Sequence, residues 1–283
     1  MLTETVMDIS QAEEIIALAL KEDIGSGDLT TNLLLADEAK RDAFVLVKSE
    51  GIVAGLPLVE MIFRKLDPAM TFVAKAKDGD RIKAGTVVME IRGSYRALLS
   101  GERTVLNFLQ RLSGIATRTA EFAAAVKATK AQILDTRKTA PGMRLLDKYA
   151  VRIGGGTNHR IGLFDMVLIK DNHIRVAGSV TAAVAQIRAG ASEGMKIEVE
   201  VRSLTETQEA AKLNVDMIML DNMTVDEMKQ AVGMIGNQAK VEASGGVNLE
   251  SVRRIAETGV DYISIGQLTH SVQALDVSLK IRE

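Results

Sequence analysis

The stretch Lys196–Glu227, KIEVEVRSLTETQEAAKLNVDMIMLDNMTVDE, gives the clearest indication of the fold. It begins with a short apolar strand and continues into a helix that Ser203-Leu-Thr-Glu206 opens as a capping box. A second apolar strand follows, and Thr224-Val-Asp-Glu227 opens the next helix in the same way. Strand, helix and strand at this spacing predict a parallel sheet, either open or closed into a barrel.

The same alternation runs from Ala131 towards the C-terminus, where Asn248 precedes a further predicted helix, Leu249–Thr258. We count six strands, which are too few for a complete eightfold barrel. The predicted strands are Gln132–Leu134, Met166–Ile169, Lys196–Val201, Met217–Leu220, Lys240–Ala243 and Tyr262–Ile265.

The first part of the chain has a different pattern, which predicts a separate α+β domain of roughly one hundred residues. Ser10-Gln-Ala-Glu13 has the form of a capping box, and Pro57 is placed to start a helix at Leu56–Leu66. Tyr95–Lys127 is predicted to be helical, with a break near Gly114. The strands and the turn expected here are Ala43–Lys48, Thr71–Ala76, Asp78-Gly-Asp80 and Thr86–Ile91.

Composition excludes several classes of protein. The 283 residues include no Cys, which excludes disulfides, Cys-ligated zinc and thiol catalysis, and only three His, so the metal we expect is a hard cation held by oxygen. A net charge of −2 argues against a nucleic-acid groove. No run of eighteen apolar residues predicts a transmembrane helix, and MLTETVMDISQAEE lacks the pattern of a secretion signal. We therefore expect a cytoplasmic α/β protein with no membrane partner.

Cationic residues are concentrated between Arg137 and Lys170, where seven Lys or Arg and one His stand against only two Asp. Because the whole chain is nearly neutral, this density is local, and it predicts a pocket for a small polyanion. His159 is expected to contact the anion by a hydrogen bond rather than to act as a general base. The residues expected to form the pocket are Arg137, Lys138, His159, Arg160 and Lys170.

Each predicted strand from Ala131 onward delivers a charged residue or a glycine turn to its C-terminal end, where barrels of parallel strands place their active sites. Ser244-Gly245-Gly246 and Gly266 precede predicted helices, whose N-terminal N–H groups are suited to a phosphate monoester. Gly154-Gly-Gly156 is expected to turn the chain so that Asn158, His159 and Arg160 face the pocket.

Glu200 and Asp221 end successive strands beneath the predicted phosphate site. Such carboxylates can hold Mg²⁺, directly or through water, or accept hydrogen bonds from sugar hydroxyls. A structural ion network with Lys170 or Arg137 is the alternative, and the two interpretations are compatible. Glu198 is expected to be structural.

A set of motifs covering essentially the whole chain resembles the quinolinate phosphoribosyltransferase family. The motifs are EDIGSGDLTT, ERTVLNFLQRLSGIAT, RKTAPGMRLLDKYAVRIGGGTNHR, LFDMVLIKDNHI, IEVEV, MLDNM, EASGGV and GVDYISIGQLTHS. The resemblance implies an α/β fold of type II phosphoribosyltransferases, with an N-terminal α/β sandwich domain and an incomplete, six-stranded α/β barrel. The domain boundaries that we predict are 1–112, 113–270 and a C-terminal segment, 271–283, that returns to the first domain.

The resemblance also implies phosphoribosyl transfer from phosphoribosyl pyrophosphate to quinolinate with decarboxylation, giving nicotinate mononucleotide, pyrophosphate and CO₂ in de novo NAD biosynthesis. Mg²⁺ is the implied cofactor, with Glu200 and Asp221 as its ligands and Lys138, Glu200 and Asp221 as catalytic residues. A homodimer is implied, with Arg103 reaching into the neighbouring site, and further assembly into hexamers stays open. The implied substrate-binding residues are Arg103, Arg137, Lys138, His159, Arg160, Lys170, Glu200, Asp221, Ser244, Gly245, Gly246 and Gly266.

Three other functions compete with this interpretation. A related phosphoribosyltransferase could use nicotinate or serve a molybdenum-related function, although a monocarboxylate needs fewer cations. A phosphate-binding aldolase or isomerase could use Lys170 as a Schiff-base lysine. The segment DGDRIKAGTVVMEIRG is similar to half of a lipoyl or biotinyl carrier domain, but no lysine occupies a hairpin tip in the expected pattern.

Overall fold

The structure is a computed structural model that describes residues 9–35 and 39–282, and these residues form two compact units. The first unit contains residues 121–138 and 156–267. The second contains the described residues up to 120 together with 139–155 and 268–282. The expectation that the chain carries no secretion signal rests largely on residues 1–8, which lie outside the described residues.

The helices and strands are numbered in chain order. The helices are a 3₁₀ helix Ile9–Ala12, α1 Glu13–Ile24, α2 Leu29–Leu34, α3 Leu56–Leu66, α4 Tyr95–Val126, α5 Arg144–Ile153, α6 Asp171–Ala177, α7 Val180–Gly190, α8 Leu204–Ala211, α9 Val225–Ile235, α10 Val252–Ala256 and α11 Gln267–His270. The strands are β1 Lys40–Val47, β2 Gly51–Ile52, β3 Thr71–Ala74, β4 Arg81–Ile82, β5 Thr86–Ser94, β6 Gln132–Leu134, β7 Val167–Ile169, β8 Ile197–Val201, β9 Met217–Asp221, β10 Lys240–Ser244, β11 Tyr262–Ser264 and β12 Val277–Ile281.

The first unit is built on a parallel six-stranded sheet in the order β6-β11-β10-β9-β8-β7. All six strands predicted from the sequence form, and each of their ends lies within one residue of its predicted position. β6 and β7 are the two edges of this sheet, so the barrel is incomplete, which confirms the predicted fold. The register places Ser244 opposite Asp221 at the C-terminal ends of β10 and β9.

The helices of this unit begin where side chains cap them. The capping box predicted at Thr224 and Glu227 is complete, because each side chain accepts a hydrogen bond from the backbone N–H of the other residue. Ser203 caps α8 by accepting the N–H of Glu206 at 3.2 Å. The Glu206 carboxylate, however, accepts from Arg202 N at 2.7 Å rather than from Ser203, so this box is shifted by one residue.

The second unit contains an antiparallel sheet in the order β12-β1-β5-β3. β12 pairs with β1, with Leu279 opposite Val45. α3 spans the residues predicted for it and has Pro57 in its first turn. The turn predicted at Asp78 caps this helix, because the Asp78 carboxylate accepts the N–H groups of Gly55 and Leu56 at 2.7 and 3.0 Å.

The long helix α4 corrects one prediction, since it runs unbroken through Gly114. A Cβ at Gly114 would lie 2.1 Å from the carbonyl oxygen of Gln273, so the glycine allows a close approach of another backbone segment. Leu98, Leu109 and Leu112 on α4 are fully buried. Burial of each such side chain contributes about 1.5–3 kcal/mol, which outweighs the cost of about 1 kcal/mol for one glycine in a helix.

Two helix starts also differ from their predicted positions. The α-helix near the N-terminus begins at Glu13 after the 3₁₀ turn, and its N-cap is Ala12, with no side-chain cap. The helix predicted at Leu249 begins at Val252, because Asn248 accepts the N–H groups of Glu250 and Ser251 and forms a turn first. None of the helices in the described part of the chain is both long and apolar enough to cross a bilayer.

Candidate active site

A cavity of about 370 Å³ lies at the C-terminal ends of the parallel strands in the first unit. All five cationic residues predicted to form the pocket line it, as do both predicted carboxylates and the predicted serine. Its walls are formed by Thr136, Arg137, Lys138, His159, Arg160, Leu168, Lys170, Glu200, Met219, Asp221, Glu242, Ser244 and Ser264. The cavity therefore combines strong positive charge with a carboxylate pair.

Arg160 is held rigidly in the wall of the cavity. Its side chain is buried, and Nη1 donates a hydrogen bond to the carbonyl oxygen of Met166 at 3.0 Å. Burial, and then repulsion from the Arg137 guanidinium, lower the pKa of Arg160. Two guanidinium groups that repel each other across a pocket favour an anion between them, because the anion offsets that repulsion.

Asp135, at the end of β6, fixes the loop that carries His159 and Arg160. This fully buried carboxylate accepts the backbone N–H of His159 at 2.9 Å and the side-chain amide of Asn158 at 2.5 Å. Asn158 was expected to face the pocket, but it does not line the cavity. The two hydrogen bonds of Asp135 instead attach the loop to the end of β6, and the sheet thereby fixes the position of the loop.

Beneath the cavity, His159 meets two carboxylates that are fully buried. Its Nε2 lies 3.0 Å from Oε2 of Glu198 and 3.4 Å from Oε2 of Glu242. Burial alone would lower the pKa of His159, but the charges of Glu242 and Glu198 raise it to about 10. Burial and the charge of Glu242 raise the pKa of Glu198 to about 7. Together the two raised pKa values mean that the buried triad of His159, Glu198 and Glu242 holds one more proton at neutral pH than the same groups would hold in water.

The orientation of His159 differs from the sequence expectation. Nδ1 accepts the backbone N–H of Arg160 at 2.7 Å, while Nε2 faces the two buried carboxylates. Both ring nitrogens are therefore directed at protein groups rather than at the cavity. In this orientation neither ring nitrogen of His159 donates a hydrogen bond into the cavity.

The carboxylate pair at the rim is embedded in a network of cations. Lys170 Nζ lies 3.4 Å from Oε2 of Glu200. Arg202, which the sequence analysis did not single out, lies with Nη2 3.4 Å from Oε1 of Glu200 and with Nε 3.2 Å from Oδ2 of Asp221. Its Nη1 also lies 2.8 Å from Asp171. The structural ion network of Glu200 with Lys170 is therefore present, and among the described residues Arg202 forms three ion pairs within it whereas Lys170 forms one.

The glycine turn after β10 needs residues without side chains. Gly245 and Gly246 both have positive φ, 98° and 60°, and a Cβ at Gly245 would lie 2.2 Å from Oδ1 of Asn222. Because α10 begins only at Val252, the turn itself, rather than a helix N-terminus, follows Ser244 at the rim. Gly266 directly precedes the four-residue α11.

Arg103 is a predicted site residue that belongs to the second unit, where it is exposed on α4. Sequence reasoning missed Glu242, Ser264 and Arg202. A sequence signal for two of them exists, because side chains two residues apart on a strand point to the same face. By this rule Glu242 lies on the same face as Ser244, and Arg202 on the same face as Glu200.

Two family models together match nearly the whole chain. The N-terminal domain of quinolinate phosphoribosyl transferase matches residues 28–113, and its C-terminal domain matches residues 115–280. The probable carboxylating nicotinate-nucleotide pyrophosphorylase of Bacillus subtilis (strain 168) is 44% identical over 275 residues, 97% of this chain and 95% of the relative. The mitochondrial, decarboxylating quinolinate phosphoribosyltransferase 2 of Nicotiana glauca is 46% identical over 288 residues, 95% of this chain and 82% of the relative.

Solved structures give the same result. The nicotinate-nucleotide pyrophosphorylase from Ehrlichia chaffeensis has a TM-score of 0.92 and is 42% identical, covering 98% of this chain and 100% of that chain. NadC from Streptococcus pyogenes has a TM-score of 0.93 and the same identity, covering 97% of this chain and 99% of that chain. Sequence, fold and domain order agree, and this chain belongs to the quinolinate phosphoribosyltransferase family.

Proposed function

We propose that this protein transfers the phosphoribosyl group of phosphoribosyl pyrophosphate to quinolinate and decarboxylates the product to nicotinate mononucleotide, as a step of de novo NAD biosynthesis. One observation carries the proposal: five cationic side chains, a carboxylate pair and a serine followed by a glycine turn share one cavity in a member of this family. Quinolinate has two carboxylates and phosphoribosyl pyrophosphate has several phosphate charges, so the substrates need such a surplus of cations.

The quinolinate subsite would be formed by Arg137, Arg160 and Lys170, with His159 beneath. Planar guanidinium groups bind carboxylates through two parallel hydrogen bonds, which suits Arg137 and Arg160 to the two acid groups. Burial of Arg160 supports this role, because a cation that is poorly hydrated interacts more strongly with an anion. His159 would then support the ring of the substrate from the buried side.

The phosphate subsite would be formed by the turn after β10 and by Gly266. Ser244 can donate its hydroxyl to a phosphate oxygen, and Gly245 and Gly246 let a phosphate approach the backbone closely because they have no side chains. Lys138, which is exposed at the rim, would meet the diphosphate.

The donor set of Glu200 and Asp221 fits Mg²⁺, since both are oxygen ligands at the rim of the same cavity. Bound there, Mg²⁺ would supply positive charge that stabilises the departing diphosphate. The same carboxylates would accept hydrogen bonds from the ribose hydroxyls and stabilise the positive charge that develops on the sugar.

The chemistry would depend on positioning and electrostatics. The pyridine nitrogen of quinolinate forms the new bond to C1 of the ribose, while the bond from C1 to the diphosphate oxygen breaks and pyrophosphate leaves with the electron pair. The nitrogen is then cationic. It can stabilise the electron pair left on the adjacent ring carbon when the carboxylate there departs as CO₂, and that carbon takes a proton from solvent.

A homodimer with shared sites would give Arg103 its role, because an exposed arginine on α4 can reach an anionic substrate held by a second copy. Exposed apolar side chains support an interface. Leu29, Leu33 and Leu34 are more than 70% exposed in the second unit, and so are Leu163 and Phe164 in the first.

The location that we propose is the cytoplasm.

Assays with single pyridine acids test the proposal. With phosphoribosyl pyrophosphate and Mg²⁺, we expect the protein to consume quinolinate and to leave nicotinate unchanged. Consumption of nicotinate at an equal rate would support the rival phosphoribosyltransferase. Borohydride trapping of a carbonyl substrate on Lys170 would support an aldolase, although the ion pair of Lys170 with Glu200 argues against that role.

A further inference from the structure

Arg202 occupies the position between the two carboxylates that are proposed to hold Mg²⁺. Its Nε lies 3.2 Å from Oδ2 of Asp221, and its Nη2 lies 3.4 Å from Oε1 of Glu200. Its third nitrogen, Nη1, lies 2.8 Å from Asp171. One guanidinium therefore contacts three carboxylates on three different elements, β9, β8 and α6.

A divalent cation bound here and this guanidinium would compete for the same two carboxylates. Mg²⁺ requires oxygen ligands at about 2.1 Å in octahedral geometry. The guanidinium of Arg202 contacts one oxygen of each carboxylate, and two cations only a few ångströms apart repel each other. The side chain is 52% exposed, so it can move into solvent when a stronger cation arrives.

We propose that Arg202 is an internal counter-ion that a divalent cation must displace from Glu200 and Asp221, so that this residue sets the affinity of the site for metal. The inference rests on the proposed role of these carboxylates as metal ligands. Its consequence is that the protein without substrate binds divalent cations weakly. A displaced Arg202 then lies at the rim, where an anionic diphosphate can offset its charge.

Binding of Mn²⁺, measured by the electron paramagnetic resonance signal of the free ion in the absence of both substrates, tests the proposal. Arg202→Ala is expected to bind Mn²⁺ about tenfold more tightly than the wild type, since a positive charge within a few ångströms has gone. Arg202→Lys should show a smaller gain, because an ammonium group keeps the charge but cannot bridge three carboxylates. The differences should shrink at high salt.

Arg175→Ala is the matched control. Arg175 lies on α6 and donates a hydrogen bond to Asn172 at 2.8 Å. Its charge, like that of Arg202, lowers the pKa of Asp171. In the described residues it forms no ion pair with Glu200 or Asp221. Its removal should leave the Mn²⁺ affinity within about twofold of the wild type, because the lost charge is exposed to solvent and forms no ion pair with Glu200 or Asp221 in the part of the chain that the structure describes. An equal gain in this control would overturn the proposal, since the effect would then be general surface charge.

A double variant identifies the site. Glu200→Gln in the Arg202→Ala background is expected to abolish the gain, whereas tight binding that survives would place the metal elsewhere and refute the proposal. Unchanged or weaker Mn²⁺ binding by Arg202→Ala would also refute it. Because neither substrate is present, a protein that makes no nicotinate mononucleotide would refute the proposed function without affecting this result.

Discussion

Replacing Glu242 with Gln removes one of the two carboxylates that face His159 and changes the shape of the side chain very little. Glu242 and Glu198 are fully buried, and the proton that they share with His159 keeps the buried charge small. Glu242→Gln therefore alters how tightly the folded protein holds this proton. The stability of the variant should depend less on pH than that of the wild type.

The pKa of His159 gives the size of the effect. It is about 10 in the folded chain, against an ordinary value of 6.5. Because the folded chain holds protons more tightly, the stabilisation assigned to His159 is fully present below about pH 6.5 and is lost as the pH rises through about 10, whereas that assigned to Glu198 is already lost as the pH rises through about 7. Because Nδ1 of His159 accepts a backbone N–H, this proton lies between Nε2 and the two carboxylates and belongs to the whole triad; at about 1.4 kcal/mol for each pKa unit, its tighter binding contributes on the order of several kcal/mol. Without Glu242, whose charge is the largest cause that raises the pKa of His159, the loss of stability over the same pH range should fall to roughly half of the wild-type loss or less.

Urea unfolding at a series of pH values between 6 and 10.5 measures this difference as a shift of the midpoint at constant slope. Glu250→Gln, a substitution of an exposed carboxylate, is the matched control and should follow the wild type at every pH. Parallel curves for Glu242→Gln and the wild type would contradict this prediction, because the buried triad would then not hold the extra proton.

Three further predictions concern arginine side chains. Arg137→Ala should raise the KM for quinolinate about tenfold to a hundredfold with an unchanged circular dichroism spectrum, because a charge-assisted hydrogen bond is lost; unchanged kinetics would contradict this. Mixed dimers of Arg103→Ala and Arg137→Ala chains should recover about a quarter of the wild-type activity, since half of the dimers have one intact site, and no recovery would show that Arg103 is not shared. Arg111→Met should lower the free energy of unfolding by about 3–5 kcal/mol, because the fully buried Asp147 loses two hydrogen bonds of 2.8 Å; an unchanged urea midpoint would contradict this.

Elements set by local patterns could be predicted from the sequence. The six strands of the first unit and the capping box at Thr224 appear where apolar runs and cap residues indicated them. The break expected at Gly114 does not occur, because this glycine serves a contact with residue 273, and no local pattern shows a partner 159 positions away.

The candidate site shows the same division. Strand ends brought Glu200, Asp221 and Ser244 to one rim, as parallel strands require. Glu242 and Arg202 could have been found by following the alternation of each strand one step further. The orientation of the His159 ring could not have been predicted in this way, because it depends on two buried carboxylates, Glu198 on β8 and Glu242 on β10, that are distant from His159 in the sequence.

The most direct test of the proposed activity is the stoichiometry of the products. Purified protein would be given phosphoribosyl pyrophosphate, Mg²⁺ and quinolinate labelled in the carboxylate next to the ring nitrogen. We expect one labelled CO₂ for each nicotinate mononucleotide formed, and none when phosphoribosyl pyrophosphate is left out. Nucleotide that retains the label, or CO₂ released without the ribosyl donor, would contradict it.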